Sequence, residues 1–160
     1  QHGQGTDKYD NVHIGMNSRL DTLQAVVLLA KLSIFDDEVA ARDAVAQRYA
    51  QALDGLVTVP RLAAGATSVW AQYTVVATER DRLQAGLRAQ GIPSVVYYPR
   101  ALTRQTAYRH YPNGPGGCPV SDRLAGSVLS LPMHAYLDAA QQQAVADAVR
   151  RIVTGGGSVA

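Results

Sequence analysis

The residues best suited to hold a charged ligand stand at the head of "IGMNSRLDTLQAVVLLAKL", Ile14 to Leu32. Asn17 offers an amide with two N–H donors, and Arg19 a planar guanidinium suited to phosphate or carboxylate. Both lie where a helix begins, and the first turn of a helix presents free backbone N–H groups that favour an anion. Two readings of this head stand: an anion clamp, or a capping asparagine beside a surface arginine. A second set is Tyr97, Tyr98 and Arg100 in "VVYYPR". Neighbouring residues of a strand point to opposite faces. One tyrosine therefore enters the core, the other could present its hydroxyl at the strand edge, and Arg100 could pair with an acidic ligand. Aromatic packing with a surface arginine is the alternative. His134 and Tyr136 follow a short strand, where loops often line sites.

Other chemistries lack their residues. The chain has only Lys8 and Lys31, and both read as solvated charges. A nucleophilic lysine needs desolvation or a neighbouring cation, and neither has an evident source. The histidines, His2, His13, His110 and His134, lack H-x-x-x-H spacing. Cys118 is the single cysteine, so no disulfide can form within the chain and no four-cysteine metal site is available. There is no G-x-S-x-G elbow, Walker loop or G-x-G-x-x-G. With 15 Lys+Arg against 13 Asp+Glu, the charge balance argues for neither nucleic acid nor membrane. No apolar run reaches about 18 residues, and no basic-apolar-small leader opens the chain. The chain reads as soluble, with a mild preference for a reducing, cytoplasmic compartment.

The elements that must position these residues follow from periodicity. Leu20, Leu23, Val27, Ala30 and Ile34 recur at steps of three and four, which predicts a helix with a buried stripe. Leu28, Leu29 and Leu32 widen that stripe, so more than one neighbour is expected to cover it. Asn17 or Ser18 can cap the first turn, and Asp21 favours the positive helix end. The pattern resumes at Val45, Tyr49, Ala52 and Leu56, giving one long helix or two with a bend. At roughly 50 Å for 1.5 Å per residue, such a helix overhangs a small domain and suits the joining of two bodies. Strands are expected at Trp70–Thr78, Ser94–Tyr98 and within "SVLSLPM". Helices are expected at Glu79–Gln90 with Gly91 as the stop, briefly at Ala101–Tyr108 and Val120–Gly126, and at Ala139–Val153 behind an Asp138 cap. "HYPNGPGGCP" is a loop. The order predicts an α/β unit of about three strands backed by helices on one face. "QHGQGTDKYDNV" reads as a flexible lead-in or as the cut edge of something longer.

At "GMNSRLDTLQA" the sequence resembles the DegT/DnrJ/EryC1/StrS sugar aminotransferases, which are fold-type I pyridoxal-phosphate enzymes. "SVWAQYTV", "RDRLQAGLRAQGIPSVVYYPRALTRQTAY" and "CPVSDRLAGSVLSLPMHAYL" resemble that family's later segments in the same order. The resemblance implies the C-terminal portion of such an enzyme. Residues 1–16 would be a lead-in from a large domain, 17–56 a linking helix or helix pair, 57–154 a small α/β domain and 155–160 a tail. It further implies a homodimer that takes L-glutamate and a nucleotide-linked keto sugar. The cofactor-binding lysine would lie outside this chain, so the chain alone would be inactive. Asn17 resembles the asparagine that reaches the cofactor phosphate in the partner subunit. Arg19 and Tyr98 resemble substrate-contacting residues of relatives acting on nucleotide-linked sugar uronates. That subgroup often carries His-Tyr-Pro where this chain has Tyr97-Tyr98-Pro99, so Tyr97 departs from the pattern. The implied acceptor is a UDP-linked 3-keto-N-acetylhexosaminuronate. A non-catalytic dimerisation module, or a family member acting as dehydratase or regulator, are the alternatives.

Overall fold

A computed structural model describes residues 3–15 and 20–155. The helical stretch is a pair, α1 (Thr22–Leu32) and α2 (Phe35–Ala52), divided at Ser33 and Ile34. Neither glycine nor proline makes the break. Ser33 Oγ instead donates to the Ala30 carbonyl at 2.9 Å, and the Ile34 N–H donates to the Lys31 carbonyl at 3.2 Å. These i−3 bonds tighten the last turn of α1. The cap expected of Asn17 or Ser18 is supplied by Asp21, whose carboxylate accepts from the Gln24 N–H at 2.8 Å while the Gln24 amide returns to the Asp21 N–H. That reciprocal arrangement is a capping box.

The remaining elements are β1 (Tyr73–Val76), α3 (Arg80–Ala89), a 3₁₀ turn at Leu102–Arg104, α4 (Pro119–Ser127), β2 (Val128–Leu131) and α5 (Ala139–Thr154). β1 and β2 pair antiparallel, with Tyr73 opposite Leu131 and Val75 opposite Leu129. These four side chains share one face and are buried. Val45, Tyr49 and Leu53 of α2, Leu83 and Leu87 of α3, and Val145, Ala148 and Val149 of α5 join them in a single core. Thr58 bridges Val76, and Val95 bridges Ser130, so the two regular strands are flanked by single-residue contacts. The strand expected at Ser94–Tyr98 is reduced to that Val95 bridge. Its β-branched composition was compatible with a strand, but Pro93 and Pro99 bracket it and neither can donate to a ladder. The helix expected over Ala101–Tyr108 is only the 3₁₀ turn, and α4 begins at Pro119, the position where a missing N–H costs nothing.

Polar side chains knit α2 to the body. Gln142 of α5, 3% exposed, donates to the Val45 carbonyl at 2.6 Å and accepts from Arg48 Nε at 2.6 Å. Trp70 carries φ 46°, unusual for a residue with a Cβ. Its indole N–H donates to Asp43 at 2.9 Å and its carbonyl accepts from Arg42 at 3.1 Å, so two residues of α2 hold it there.

The buried stripe expected on α1 has no cover among the described residues. Leu20, Leu23, Val26, Val27, Leu28, Leu29 and Leu32 are all more than half exposed, and α1 buries none of its residues.

Candidate functional site

Asn17 and Arg19 lie outside the described residues. Their immediate platform is α1, whose capping need is already met by Asp21. The side chain that ties α1 to the rest is Lys31. Its ammonium meets Glu38 Oε1 at 2.5 Å, the same oxygen accepts from the Tyr136 hydroxyl at 2.6 Å, and the ammonium lies 5.9 Å from the Tyr136 ring centre. Lys31 is therefore committed to a cluster rather than merely solvated. That bond to Lys31, followed by the one from Tyr136, holds the Glu38 carboxyl below its ordinary range. His134 is exposed.

Tyr97 and Tyr98 do not end a strand, and the alternation expected of them does not apply. Tyr97 is 37% exposed and lines a shallow cavity of about 160 Å³ with Val95, Ser130 and Met133. Tyr98 is 76% exposed and has φ 59°. A tyrosine in this left-handed region, directly before a proline, costs on the order of 1–3 kcal/mol and persists only where its surroundings impose it.

The lead-in is docked on the residues that follow this segment rather than left as a loose tail. Gly3, at φ 83°, accepts at its carbonyl from the Val12 and His13 N–H groups and closes the lead-in on itself. A Cβ at Gly3 would collide with the His13 carbonyl oxygen, so only glycine fits. Residues 9–11 then dock on 105–107. The Gln105 amide, 8% exposed, donates to the Tyr9 carbonyl at 2.7 Å and accepts from the Asn11 N–H at 2.6 Å. The Ala107 N–H donates to the Asn11 carbonyl at 2.9 Å. Asp10 accepts from the Thr106 N–H at 3.2 Å and hydroxyl at 2.9 Å, and pairs with Arg100 Nη1 at 2.8 Å. Hydrogen bonds from Thr106, then Arg100, hold the Asp10 carboxyl below the ordinary aspartate range. Arg100, read as either a partner for an acidic ligand or a surface arginine, is paired with Asp10 within the chain. Asp10, Gln105 and Thr106 escaped sequence reasoning because they are separated by more than 90 residues and belong to no spacing motif.

No group of three or more His, Cys, Asp or Glu among the described residues is placed to hold a metal ion, and no described helix is long and apolar enough to cross a membrane. Neither lysine fits a carbonyl cofactor. Lys8 lies 5.3 Å over the ring of its neighbour Tyr9, and Lys31 is paired with Glu38. The described residues do not by themselves form a pyridoxal-phosphate site.

The arrangement is the α/β architecture found in fold-type I pyridoxal-phosphate aminotransferases. A family model described as the DegT/DnrJ/EryC1/StrS aminotransferase family matches residues 1–150, and the chain belongs to that family. It is 44% identical over 141 residues to a UDP-2-acetamido-2-deoxy-3-oxo-D-glucuronate aminotransferase of Pseudomonas aeruginosa, covering 88% of this chain and 38% of that protein. A pleiotropic regulatory protein of Geobacillus stearothermophilus is 37% identical over 152 residues, covering 92% of this chain and 41% of its own length. A crystal structure of a DegT DnrJ EryC1 StrS aminotransferase from Brucella abortus aligns with TM-score 0.81 and 54% identity, covering 95% of this chain and 41% of that one. The chain thus spans about two-fifths of the length of these relatives.

Proposed function

We propose that this chain is the C-terminal part of a pyridoxal-phosphate-dependent aminotransferase that moves an amino group from L-glutamate to a UDP-linked 3-keto-N-acetylhexosaminuronate. The observation that carries the substrate class is the 44% identity, over most of this chain, to a relative named for a 3-oxo-glucuronate nucleotide sugar. In such enzymes pyridoxal phosphate supplies the amino-carrying chemistry. The contribution of this chain is grip. Asn17 would hold the cofactor phosphate of a partner subunit through its amide N–H groups. Arg19 would meet the sugar carboxylate through charge-assisted bonds, with the hydroxyls of Tyr98 and Tyr97 beside it.

Residues 1–16 are assigned to the lead-in from a large domain, 17–56 to the linking helix pair, 57–154 to the small domain and 155–160 to a tail. The apolar surface of α1 supports a homodimer, since a helix apolar on several sides needs cover from more than one body. The enzyme is placed in the cytoplasm, with no nucleic-acid or membrane partner. Because neither lysine fits the cofactor, the 160-residue chain alone should not transaminate.

The test is 2-oxoglutarate release from L-glutamate by the intact enzyme, supplied with pyridoxal phosphate and the UDP-linked 3-keto uronate. Release with this acceptor, and weaker release with a UDP-3-keto sugar lacking the carboxylate, is the expected result. A protein that releases none with any keto sugar is not an aminotransferase, and the dehydratase or regulatory reading then takes its place.

A further inference from the structure

Tyr98 stands between two anchors. On one side Val95 exchanges two backbone hydrogen bonds with Ser130 of β2, at 3.1 and 2.8 Å. On the other, Arg100 is held by Asp10 at 2.8 Å, with Asp7 at 3.9 Å, and the Gln105 and Thr106 contacts follow immediately. The few residues between the anchors must span a fixed gap. The result is a tyrosine at φ 59° that buries little of its ring. A strained residue is retained only where neighbours over-determine it, and an exposed aromatic gains no packing in exchange. Strain without burial points to presentation of the side chain to something else.

The clasp that imposes this has a built character. Gln105 is nearly inaccessible, and its amide satisfies one donor and one acceptor of the lead-in backbone, as a strand would. Asp10 and Arg100 add a hydrogen-bonded ion pair whose Asp10 side chain is only 19% exposed.

We propose that Asp10, Gln105 and Arg100 form a clasp that positions the 97–99 segment, so that the Tyr98 hydroxyl is presented to the keto-sugar nucleotide. They are positioning residues: none of them touches the sugar, and each acts through Tyr98. This rests on the aminotransferase reading above. It also gives the lead-in a role in substrate recognition, because one half of the clasp is residues 9–11.

Two measurements test it together. In the first, the 160-residue chain is digested with trypsin under native conditions, and the rate of cleavage after Arg100 is followed in wild type, Asp10→Asn and Gln105→Ala. Cleavage requires Arg100 to leave the clasp, so both variants should be cut at this bond at least about tenfold faster, the factor that about 1.4 kcal/mol represents. Cleavage after Arg48, inside α2, should be unchanged. In the second, the intact enzyme carrying Asp10→Asn, Gln105→Ala or Tyr98→Phe is assayed with glutamate and the UDP-linked 3-keto uronate. KM for the sugar should rise about tenfold, again about 1.4 kcal/mol, with KM for glutamate and cofactor retention unchanged. Asp10→Glu, which keeps the charge, should recover part of the loss.

Unchanged cleavage after Arg100 in both variants would overturn the clasp as the element that holds the segment. Faster cleavage with unchanged KM for the sugar would overturn its role in recognition. An intact wild-type enzyme that turns over no keto sugar would instead sink the aminotransferase reading, whatever trypsin does, and this proposal with it.

Discussion

At the scale of single residues, the chain spends polar atoms in two opposite ways. Tyr49 and Tyr73 stack with ring centres 5.1 Å apart in the core, and burial pushes both phenols upward, that of Tyr73 to about 12. Tyr49 donates its hydroxyl to the Pro132 carbonyl at 3.1 Å. Tyr73 Oη is the buried side-chain polar atom left without a partner among the described residues. A buried, unpaired hydroxyl costs about 1–3 kcal/mol. Tyr73→Phe should therefore raise the urea midpoint, by a stability increment of about 1–2 kcal/mol, with the slope unchanged; a loss of stability would show that the hydroxyl is satisfied after all. Asn17, proposed above to hold a phosphate, would be of the other kind, a polar side chain kept for a ligand. If it holds the cofactor phosphate, Asn17→Ala in the intact enzyme should lose cofactor on dialysis. Its helix content by circular dichroism should not change, because Asp21 already caps α1. Retention equal to wild type would return Asn17 to a structural role.

At the scale of elements, two polar devices orient helices that packing does not fully determine. Gln142 links α5 to α2 by satisfying the Val45 carbonyl and Arg48 together. Gln142→Ala should cost about 1–2 kcal/mol, because two hydrogen bonds of about 0.5–1.5 kcal/mol each are lost while the Val45 carbonyl keeps its helical partner. Chemical denaturation measures this directly, and a cost below 0.5 kcal/mol, within the range of an ordinary surface change, would contradict the role. The second device is the Lys31–Glu38–Tyr136 cluster at the break between α1 and α2. Since α1 buries nothing, this cluster and the short junction are what set its direction. In the 160-residue chain, Lys31→Ala should broaden the distance distribution between spin labels on α1 and α5, with the label pair placed on exposed positions such as Thr22 and Gln143 in a Cys118→Ser background. Overlapping distributions would mean that the backbone junction alone fixes the angle.

For the whole molecule, acid is the informative perturbation. Asp10, Glu38 and Asp122 all have carboxyls held below their ordinary range, by Thr106 and Arg100, by Lys31 and Tyr136, and by Arg104 respectively. A carboxyl whose folded pKa is depressed stabilises the fold fully above its unfolded value, about pH 4, and loses that contribution as pH falls through the folded value. The melting temperature should therefore be flat from neutral to about pH 5 and fall below about pH 4, with the fall blunted in Asp10→Asn. Lys31 and Arg104 are shifted upward by the same pairs, and their contributions persist until strongly alkaline pH. The exposed leucines and valines of α1 act at this scale too. A contiguous apolar face of this kind drives association, so the isolated chain should sediment with a concentration-dependent mass, and Leu23→Glu with Leu29→Glu should make it monodisperse.

Periodicity and turn chemistry determined much of this protein before any packing was known. The Asp138 cap of α5, the Gly91 stop after α3, the glycine-rich loop before α4 and the pairing of apolar faces are local preferences, and each is realised in the structure. The segment strings that carry the family resemblance are likewise local. Tertiary structure decided what local preference leaves open. Whether Ser94–Tyr98 completes a strand depends on the partner edge and on the flanking prolines, and it became a single bridge. Whether Arg100 waits for a ligand depends on Asp10, ninety residues earlier, and it became half of an ion pair. The stripe on α1 marks the limit in the other direction. Its spacing specifies that it will be covered, but hydrophobic burial is non-directional. What covers it is a property of the assembled fold rather than of the stripe.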